Sequence, residues 1–456
     1  MTSAMTNSAK SVTTAVVGLG LSGMSCLRHL QETDSLVVID NRQAPANLAT
    51  AKAAFPGALF FVGKDAALPA RWRGVERVVL SPGVAANDPM LEGSESLQRL
   101  SDIDLFMQQA RAPVIGITGT NGKSTVTALV GHILDQLGVH SRVGGNLGEP
   151  ALDLLDQKTQ VYVLELSSFQ IEHSKTLNLA AAAVLNLSPD HLDRHGDLKT
   201  YAAIKRRIFE SAARRISNAD DVLTQPGYPA TSVDVTFGRA EDAQWRLSEQ
   251  SGQQLFIRNG VEFARASDFS LHGQHNLLNL LAAFAIVADL EITGIPSFDA
   301  SPESYVAAAS TFSGLAHRAE FVRELDGVRY INDSKATNVG ACAAALAGYQ
   351  NLGKPTVVLL AGGQGKGADF TPLGDVASCV KLAILFGEDA PLIEQALAEH
   401  TNTLQVGSFE AAVSAASDCA VAGDTVLLAP ACASFDMFSS FTQRGERFCE
   451  LVEGLS

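Results

Sequence analysis

Short runs of β-branched residues alternate with Ala- and Leu-rich segments of helical period along the chain. This alternation predicts an α/β fold class in which crossover helices join the strands of parallel sheets. Ligands of open α/β sheets bind at the carboxyl ends of the strands, so the residues that follow each strand are the candidates for function. The predicted strands are Thr13–Val17, Leu36–Asp40, Val75–Leu80, Val114–Thr118, Val161–Glu165, Ala181–Asn186, Val328–Ile331, Thr356–Leu360, Leu382–Phe386 and Thr425–Ala429.

Length and two breaks in this pattern predict three domains. The chain has 456 residues, and a typical domain has about 150. A predicted helix at Asp102–Arg111 runs into Ala112–Pro113 and a new strand, and a second break falls near Ser313–Gly314. The β-rich segment Val222–Phe269 predicts a small extra sheet inserted in the middle domain. The predicted domains span residues 1–101, 102–314 and 315–456.

Composition excludes several classes of protein. Apolar residues make up 46% and charged residues 18% of the chain, which excludes disorder for most of it. The 34 basic and 49 acidic residues give a net charge of −15, so nucleic acid is not an expected partner. The six cysteines include no C-x-x-C pair, and we expect buried free thiols in a reducing compartment.

The distribution of apolar residues gives no sign of a membrane partner. No apolar run approaches the roughly 20 residues that cross a bilayer. Met1–Ser11 is polar and lacks the apolar core of a signal peptide. We therefore expect a cytoplasmic protein, and a monomer.

Gly18, Gly20 and Gly23 form a G-x-G-x-x-G pattern between the first strand and a helical segment. Such glycines permit a tight turn and let the backbone approach a diphosphate at a helix N-terminus. Asp40 ends the next strand at the offset of a ribose-binding acid. The motif indicates the diphosphate of a nucleotide without identifying the nucleotide. The alternative is a glycine-rich turn that binds nothing.

The segment 117–125 reads ITGTNGKST and precedes a predicted helix at Val126–Leu137. Its backbone N–H groups would cradle nucleotide phosphates, Lys123 would reach the β- and γ-phosphates, and the Ser124 hydroxyl would bind Mg²⁺. Gly119 lies three residues before Gly122, whereas the general P-loop spacing is five. The strand before the segment and the helix after it favour a phosphate site over a helix N-terminus with an incidental lysine.

Three further features of the middle domain are ambiguous from the residues alone. Glu165 ends a strand beside the P-loop, where it could bind Mg²⁺ or cap the next helix. The following strand ends in a polar loop where Asp190 and His191 could bind metal or phosphate, although a single histidine is more often structural. Lys205 stands next to two arginines on a predicted helix, and its neighbours indicate a solvated charge.

Polar loops also follow three predicted strands in the last third of the chain. Each could be an ordinary βα loop, but three of them at the carboxyl ends of strands in one domain favour a ligand site. The loops are Asn332–Asn338 (NDSKATN), Gly362–Gly367 (GGQGKG) and Pro430–Asp436 (PACASFD).

Taken together, these motifs resemble those of the Mur ligase family, which builds the peptide stem of peptidoglycan. The resemblance runs from Gly18 to Arg444-Gly445. Its most specific pieces are GTNGKST, ELSSFQ at 165–170, Asp190-His191, His317-Arg318 and NDSKATN. It implies a Rossmann-like first domain for a UDP-linked substrate, a P-loop ATPase-type parallel sheet in the middle domain, and a Rossmann-like third domain for an amino acid.

The activity implied by the resemblance is ATP-driven amide formation between D-glutamate and UDP-N-acetylmuramoyl-L-alanine, with release of ADP and phosphate. The substrate carboxylate becomes an acyl phosphate, and the amine of D-glutamate then attacks to give a tetrahedral intermediate. In the family, two Mg²⁺ ions hold the anionic carboxylate and γ-phosphate together. By resemblance Ser124 and Glu165 hold one ion, and His191 and Lys205 the other. Lys205 is carbamylated by CO₂ in this scheme, so that it offers an oxygen ligand.

The resemblance also assigns residues to the catalytic centre and to three subsites. The catalytic residues are Lys123, Glu165, His191 and Lys205. The residues that contact the UDP-linked substrate are Gly18, Leu21, Ser22, Asp40, Asn41, Arg42, Gly83, Asn146, Ser167, Gln170 and His191. The residues that contact ATP are Gly119, Thr120, Asn121, Gly122, Lys123, Ser124, Thr125, Asn276, Asn279, Arg318 and Asp333. The residues that contact D-glutamate are Lys335, Thr337, Lys366, Ser434 and Phe441.

Other functions remain as alternatives. Another Mur-type ligase or a folylpolyglutamate-type ligase would share the middle domain, although the latter lacks a uridine-binding first domain. An NAD-dependent oxidoreductase would use Gly18–Gly23 and Asp40, and tight binding of NADH would identify it. A nucleotide-switch module would hydrolyse ATP whether or not an amino acid is present.

Overall fold

The computed structural model describes residues 12–227, 231, 233–271, 273–288, 290, 301–350 and 354–455. Within these residues the strands form three sheets of five, nine and six strands, each built from its own stretch of the chain. This confirms the predicted α/β class. The expectation that Met1–Ser11 carries no targeting signal concerns a segment outside the described residues.

The first sheet is parallel throughout, with strand order β3-β2-β1-β4-β5. Because β2 and β4 lie on opposite sides of β1, a crevice opens at the carboxyl end of β1. The glycines of Gly18–Gly23 lie in this crevice, since β1 ends at Val17. Strands β1–β5 span Val12–Val17, Asp34–Asp40, Leu59–Val62, Arg77–Leu80 and Gln98–Ser101. Helices α1–α3 span Leu21–Leu30, Leu48–Ala54 and Asp102–Gln109.

The second sheet has the strand order β14-β13-β12-β11-β10-β9-β6-β8-β7. Strand β6, the third strand from one edge, leads into the P-loop, and its neighbours β8 and β9 run parallel to it. Strands β6–β14 span Val114–Thr118, Ser141–Gly145, Val161–Glu165, Ala181–Val184, Arg215–Asn218, Asp234–Gly238, Trp245–Gln250, Gln253–Arg258 and Val261–Arg265. Helices α4–α9 span Lys123–Gln136, Ser168–His173, Leu192–His195, Leu198–Arg206, Gln274–Val287 and Pro302–Ser310.

The strands of the segment Val222–Phe269 do not form the small extra sheet expected for the middle domain. Strand β11 pairs in parallel with β10, and β12 pairs with the end of β11, so the strands β11–β14 continue the central sheet. Helix α8 covers this extension, where Phe284 packs against Phe256 with ring centroids 5.9 Å apart. The buried side chains of the middle region divide between two clusters, one with Ile117, Val163 and Phe284 and the other with Leu164 and Tyr201.

The third sheet has the order β15-β16-β20-β17-β18-β19, with β15 antiparallel to β16 and the remaining pairs parallel. Strands β15–β20 span Glu320–Leu325, Val328–Asn332, Val357–Gly362, Val380–Phe386, Thr403–Gln405 and Thr425–Leu428. Helices α10–α13 span Val339–Ala347, Ala390–Leu397, Phe409–Cys419 and Phe441–Glu453. The three polar loops predicted as a ligand site follow β16, β17 and β20, which are adjacent in this sheet.

Several predicted element bounds differ from the structure at their ends. The strand expected to reach Asn186 ends at Val184, because the Asn186 amide turns toward the P-loop and bonds the backbone of Asn121. The helix expected at Val126–Leu137 begins at Lys123 instead. Its first turn therefore starts inside the P-loop, which brings more backbone N–H groups to the phosphate site.

The cysteines agree in part with the expectation of buried free thiols. All six cysteines are free, four of them are buried, and Cys419 and Cys449 are half-buried rather than buried as expected. Among the described residues, no helix has the length and apolarity needed to cross a membrane. The first two sheets are joined by Arg28, whose Nη2 lies 2.5 Å from Asp153 Oδ2.

Candidate active site

Two cavities lie side by side at the carboxyl ends of the strands. One, of about 580 Å³, lies between the second and third sheets, and the other, of about 640 Å³, lies between the first and second sheets. Asn146, Ser167 and Phe169 line both. The cavities are therefore neighbours that share these three residues.

The P-loop forms one wall of the first cavity. Gly119 and Gly122 have φ angles of +152° and +82°, and a Cβ on Gly122 would lie 2.4 Å from Asn279 Oδ1. Both positions therefore require glycine. Lys123 donates from Nζ to the Thr120 carbonyl at 2.7 Å, folding back over the loop. Six of the seven predicted P-loop residues line the cavity, and the exception is Gly119.

Glu165 is held by two donors at the cavity wall. The Ser124 hydroxyl donates to its Oε2 at 2.5 Å, and Asn146 Nδ2 donates to its Oε1 at 2.7 Å. Burial opposes ionisation, but Lys123 and these two hydrogen bonds still hold the pKa of Glu165 below its usual value. The alternative role as a helix cap is wrong, because Ser167 caps α5.

Lys205 is fully buried, which corrects the interpretation of its neighbours as a solvated charge. Its side chain is 1% exposed and its Nζ donates to the Gly119 carbonyl at 2.8 Å and to Thr118 Oγ1 at 3.1 Å. Burial, and then the charge of Lys123, hold the pKa of Lys205 well below its usual range. The amine therefore sits directly behind the P-loop, and its neutral form is favoured.

His191 lines the first cavity beside Phe169, which lines both cavities. Its backbone is left-handed, with φ of +53°, and its Nε2 lies 3.8 Å from Asp190 Oδ2. The ring packs edge-on against Phe169 with centroids 5.0 Å apart. Burial lowers the pKa of His191, although Asp190 opposes this. A neutral imidazole facing the cavity can accept a proton or bind a metal ion.

The predicted ATP residues of α8 and of the third domain also meet at the first cavity. Asn276, Asn279, Arg318 and Asp333 all line it. Burial raises the pKa of Asp333 to about 6 and lowers the pKa of Arg318. A direct bond crosses the interface here, since Asn338 Nδ2 donates to Asn121 Oδ1 at 3.1 Å. The P-loop therefore contacts the third domain.

The second cavity contains every residue predicted to bind the UDP-linked substrate apart from His191, which lines the first cavity. Leu21 is 71% exposed at its mouth. The Asp40 carboxylate accepts from the Leu19 backbone N–H at 2.7 Å and pairs with Arg42 Nη2 at 2.6 Å. These contacts lower the pKa of Asp40 against the effect of burial. Asp40 thus lines the cavity and also holds the turn at Leu19 in place.

The five residues predicted to bind D-glutamate are not equally close to the first cavity. Lys335 and Thr337 line it, whereas Lys366, Ser434 and Phe441 do not. Lys335 Nζ lies 4.1 Å from the centre of the Phe441 ring, which links that residue to the cavity. Burial lowers the pKa of Lys335 to about 8. Ser434 is 2% exposed, and its hydroxyl has no hydrogen-bond partner among the described residues.

Sequence reasoning missed several residues of the site. Phe169 lines both cavities and packs against His191, and the signal for it was its place inside ELSSFQ. Asn186 and Asn338 brace the P-loop from opposite sides through Asn121. Both asparagines stand in the predicted polar loops, so their position after a strand was the available signal.

The residues predicted to bind Mg²⁺ differ in how well they suit it. Ser124 and Glu165 bring a hydroxyl and a carboxylate together, and Mg²⁺ prefers such oxygen ligands. Lys205 offers only a nitrogen that already donates to two oxygens. The described part of the chain contains no group of three or more His, Cys, Asp or Glu side chains placed to hold a metal.

Family models match three consecutive parts of the chain, one on each sheet. The first, described as Mur ligase MurD-like, N-terminal domain, matches residues 12–98. The second, Mur ligase middle domain, matches residues 117–287. The third, Mur ligase, glutamate ligase domain, matches residues 317–432.

Curated proteins named UDP-N-acetylmuramoylalanine–D-glutamate ligase are similar to the chain over nearly its whole length. The protein of Chromohalobacter salexigens is 42% identical over 445 residues, which cover 95% of this chain and 96% of that protein. That of Methylococcus capsulatus is 43% identical over 449 residues, which cover 97% of this chain and 94% of that protein.

Solved structures share the fold at low sequence identity. The UDP-N-acetylmuramate-alanine ligase MurC of Thermotoga maritima is 18% identical with a TM-score of 0.62, covering 97% of this chain and 99% of that one. MurF of Acinetobacter baumannii is 17% identical with a TM-score of 0.60, covering 96% of this chain and 93% of that one. The three-sheet arrangement is thus one that these structures also have.

Proposed function

The chain belongs to the Mur ligase family, and we propose that it joins D-glutamate to UDP-N-acetylmuramoyl-L-alanine in the synthesis of peptidoglycan precursors. It is an ATP-dependent ligase that uses Mg²⁺. One observation carries the proposal: Lys123 and Glu165 of the middle domain face Lys335 of the third domain across one cavity, and that cavity meets the one beside Gly18–Gly23. Phosphate, amino acid and UDP-linked acid would converge there.

The chemistry requires that two anions, the substrate carboxylate and the γ-phosphate, come together in line. Lys123 supplies a cation from the P-loop, and the backbone N–H groups at the start of α4 supply further positive potential. The carboxylate attacks the γ-phosphorus, its oxygen forms the new P–O bond, and ADP leaves. The amine of D-glutamate then attacks the acyl phosphate, and phosphate leaves with the C–O electron pair as the amide forms.

Two metal sites and a modified lysine complete the proposal. Ser124 and Glu165 would hold one Mg²⁺, and His191 with a carbamate on Lys205 would hold the other. Bound Mg²⁺ would neutralise charge on the phosphates. Support for the carbamate comes from the Lys205 amine, which is buried behind the P-loop and whose pKa burial lowers, since CO₂ reacts with a neutral amine.

The subsites follow from the same cavities. We assign the UDP-linked substrate to the cavity beside Gly18–Gly23 and ATP to the P-loop end of the other cavity. D-glutamate carries two carboxylates at neutral pH, and Lys335 and Lys366 are two cations that match them in number. Thr337, Ser434 and Phe441 would complete that subsite.

The remaining features of the protein are part of the same proposal. We place the domain boundaries at residues 1–101, 102–314 and 315–456, and we propose a monomer. ATP and nucleotide-linked sugars are cytoplasmic metabolites, which supports a cytoplasmic location for this reaction.

A phosphate-release assay tests the proposal most directly. The protein is supplied with ATP, Mg²⁺, UDP-N-acetylmuramoyl-L-alanine and either D- or L-glutamate. We expect phosphate release only with both substrates and the D isomer. Turnover with L-glutamate but not with D-glutamate would contradict the proposal. So would ATP hydrolysis at the same rate with and without the amino acid. Binding of NADH, measured by fluorescence, would instead support the oxidoreductase alternative.

A further inference from the structure

Arg444 is a buried cation at the start of α13. Its side chain is 0% exposed, and within the described residues its guanidinium makes no ion pair with a carboxylate, although the charge of Asp436 acts on it from a greater distance. A buried charge without a counter-ion costs stability, and an apolar side chain of similar volume would avoid this cost. Its presence at this position therefore calls for a role other than stabilising the core.

The guanidinium joins two loops at the carboxyl end of the third sheet. Its Nε donates to Ser334 Oγ at 3.0 Å, and its Nη2 donates to the Ser334 carbonyl at 2.9 Å and the Cys432 carbonyl at 3.1 Å. Ser334 precedes Lys335, and Cys432 lies two residues before Ser434. The planar, rigid donor set of arginine therefore fixes the distance between the two loops.

Ser334 extends this contact to a third element. Its hydroxyl accepts from Arg444 and donates to the Phe441 carbonyl at 2.8 Å. The ring of Phe441 in turn lies under Lys335 Nζ. Four of the five residues assigned to D-glutamate thus belong to backbone segments that meet at Arg444 and Ser334.

The residue after Arg444 connects the same helix turn to the ATP side of the cavity. A Cβ on Gly445 would lie 2.4 Å from His317 Nδ1, so only glycine leaves room for that ring. The Gly445 carbonyl accepts from Asn332 Nδ2 at 3.1 Å, and the His317 carbonyl accepts from the Lys335 backbone N–H at 3.1 Å. The turn therefore braces the loop of Lys335 from two sides.

We propose that Arg444 is a positioning residue for the amino-acid subsite, and that it acts by holding the loop of Lys335 and Thr337 at a fixed distance from the loop of Ser434. This inference rests on the proposed function. Arg444 itself touches backbone and Ser334 rather than substrate. Substitution of Arg444 should therefore raise KM for D-glutamate more than KM for ATP.

Two substitutions and one matched control test this. Arg444→Lys keeps the charge but cannot hold both loops, and Ser334→Ala removes the shared hydroxyl with a minimal change in volume. Arg323→Lys is the control, since Arg323 bonds the carbonyls of Val452 and Glu453 at the other end of α13. Steady-state KM for each substrate, kcat and the melting temperature are measured for all three and for the wild type.

We expect KM for D-glutamate to rise about tenfold in Arg444→Lys and several-fold in Ser334→Ala, because small misplacements of binding groups have effects of this order. KM for ATP and for the UDP-linked substrate should stay within about twofold. Arg323→Lys should lower the melting temperature without changing KM for D-glutamate.

Other outcomes would overturn the inference. If KM for D-glutamate stays within about twofold of wild type in Ser334→Ala, or rises equally in Arg323→Lys, Arg444 has only a structural role. Ser334→Ala decides the matter should Arg444→Lys fail to fold. A wild-type protein that does not use D-glutamate would refute the proposed function instead, so the two failures are distinguishable.

Discussion

Replacing Asp102 with asparagine should stabilise the protein at neutral and alkaline pH. Asp102 begins α3 and is 2% exposed. Its carboxylate accepts from the Ile103 backbone N–H at 3.0 Å and from Gln170 Nε2 at 3.5 Å. Burial, partly offset by these bonds, raises the pKa of Asp102 from an ordinary 3.8 to about 6. Above pH 6 the folded protein therefore holds an anion where a neutral group is preferred.

The magnitude follows from proton linkage. A folded-state pKa near 6 against 3.8 in the unfolded chain makes ionised Asp102 unfavourable by about 3 kcal/mol. This cost is absent below pH 3.8, grows as the pH rises between the two values, and is complete above 6. Asparagine avoids the charge but weakens about one hydrogen bond, worth about 1 kcal/mol. The net gain at pH 8 should be about 1–2 kcal/mol.

Urea unfolding of the wild type and Asp102→Asn at a series of pH values measures this gain. The difference between the two proteins should shrink as the pH falls from about 7 to about 4. Asp104→Asn is the matched control in the same helix, because Asp104 accepts from the Ser101 backbone N–H and hydroxyl in the cap; it should lose stability. A variant of Asp102 that is no more stable at pH 8, or a gain that does not depend on pH, would refute the reasoning.

Three further outcomes concern activity. Lys123→Ala should lower turnover at least about 1,000-fold by removing the cation that meets the γ-phosphate, as measured by phosphate release; near-normal turnover would contradict this role. Lys205→Ala should be nearly inactive and partly restored by added short-chain carboxylates, and wild-type turnover without them would exclude the carbamate. The pKa of Lys335 is lowered to about 8 by burial, so KM for D-glutamate should rise as the pH increases through 8, and a flat profile from pH 7 to 9 would contradict the assignment.

The strands beside the P-loop were the most predictable part of the fold. Val114–Thr118 and Val161–Glu165 are found with the predicted bounds, since each is an apolar run that a polar motif follows. The edge strands Gln98–Ser101 and Ser141–Gly145 were not predicted, because exposed edges tolerate polar residues and glycine and so lack a periodic signal. The continuation of the central sheet by β11–β14 depends on the parallel pairing of β11 with β10, and the apolar pattern of each strand does not specify which edge it joins.

Lys205 shows where residue-level reasoning failed at the site. Its two arginine neighbours suggested a solvated face, yet Lys205 lies four residues after Tyr201 and shares its buried side of α7. Residues four apart lie on the same face of a helix, so the spacing indicated that Lys205 is buried with Tyr201. The prediction gave more weight to the charge of lysine. The hydrogen bond between Asn338 and Asn121 of the P-loop could not be predicted at all, because these two residues stand 217 positions apart.

The meeting of the two cavities at Asn146, Ser167 and Phe169 has a consequence for inhibition. In the proposed assignment, a uracil-like group would bind in the cavity beside Gly18–Gly23 and a phosphate mimic in the P-loop cavity. A short tether past Phe169 could link the two groups. Such a bridging compound would lose its translational freedom only once, so its dissociation constant would fall far below that of either fragment. The distance between the two cavities past these three residues thus sets the length of the tether.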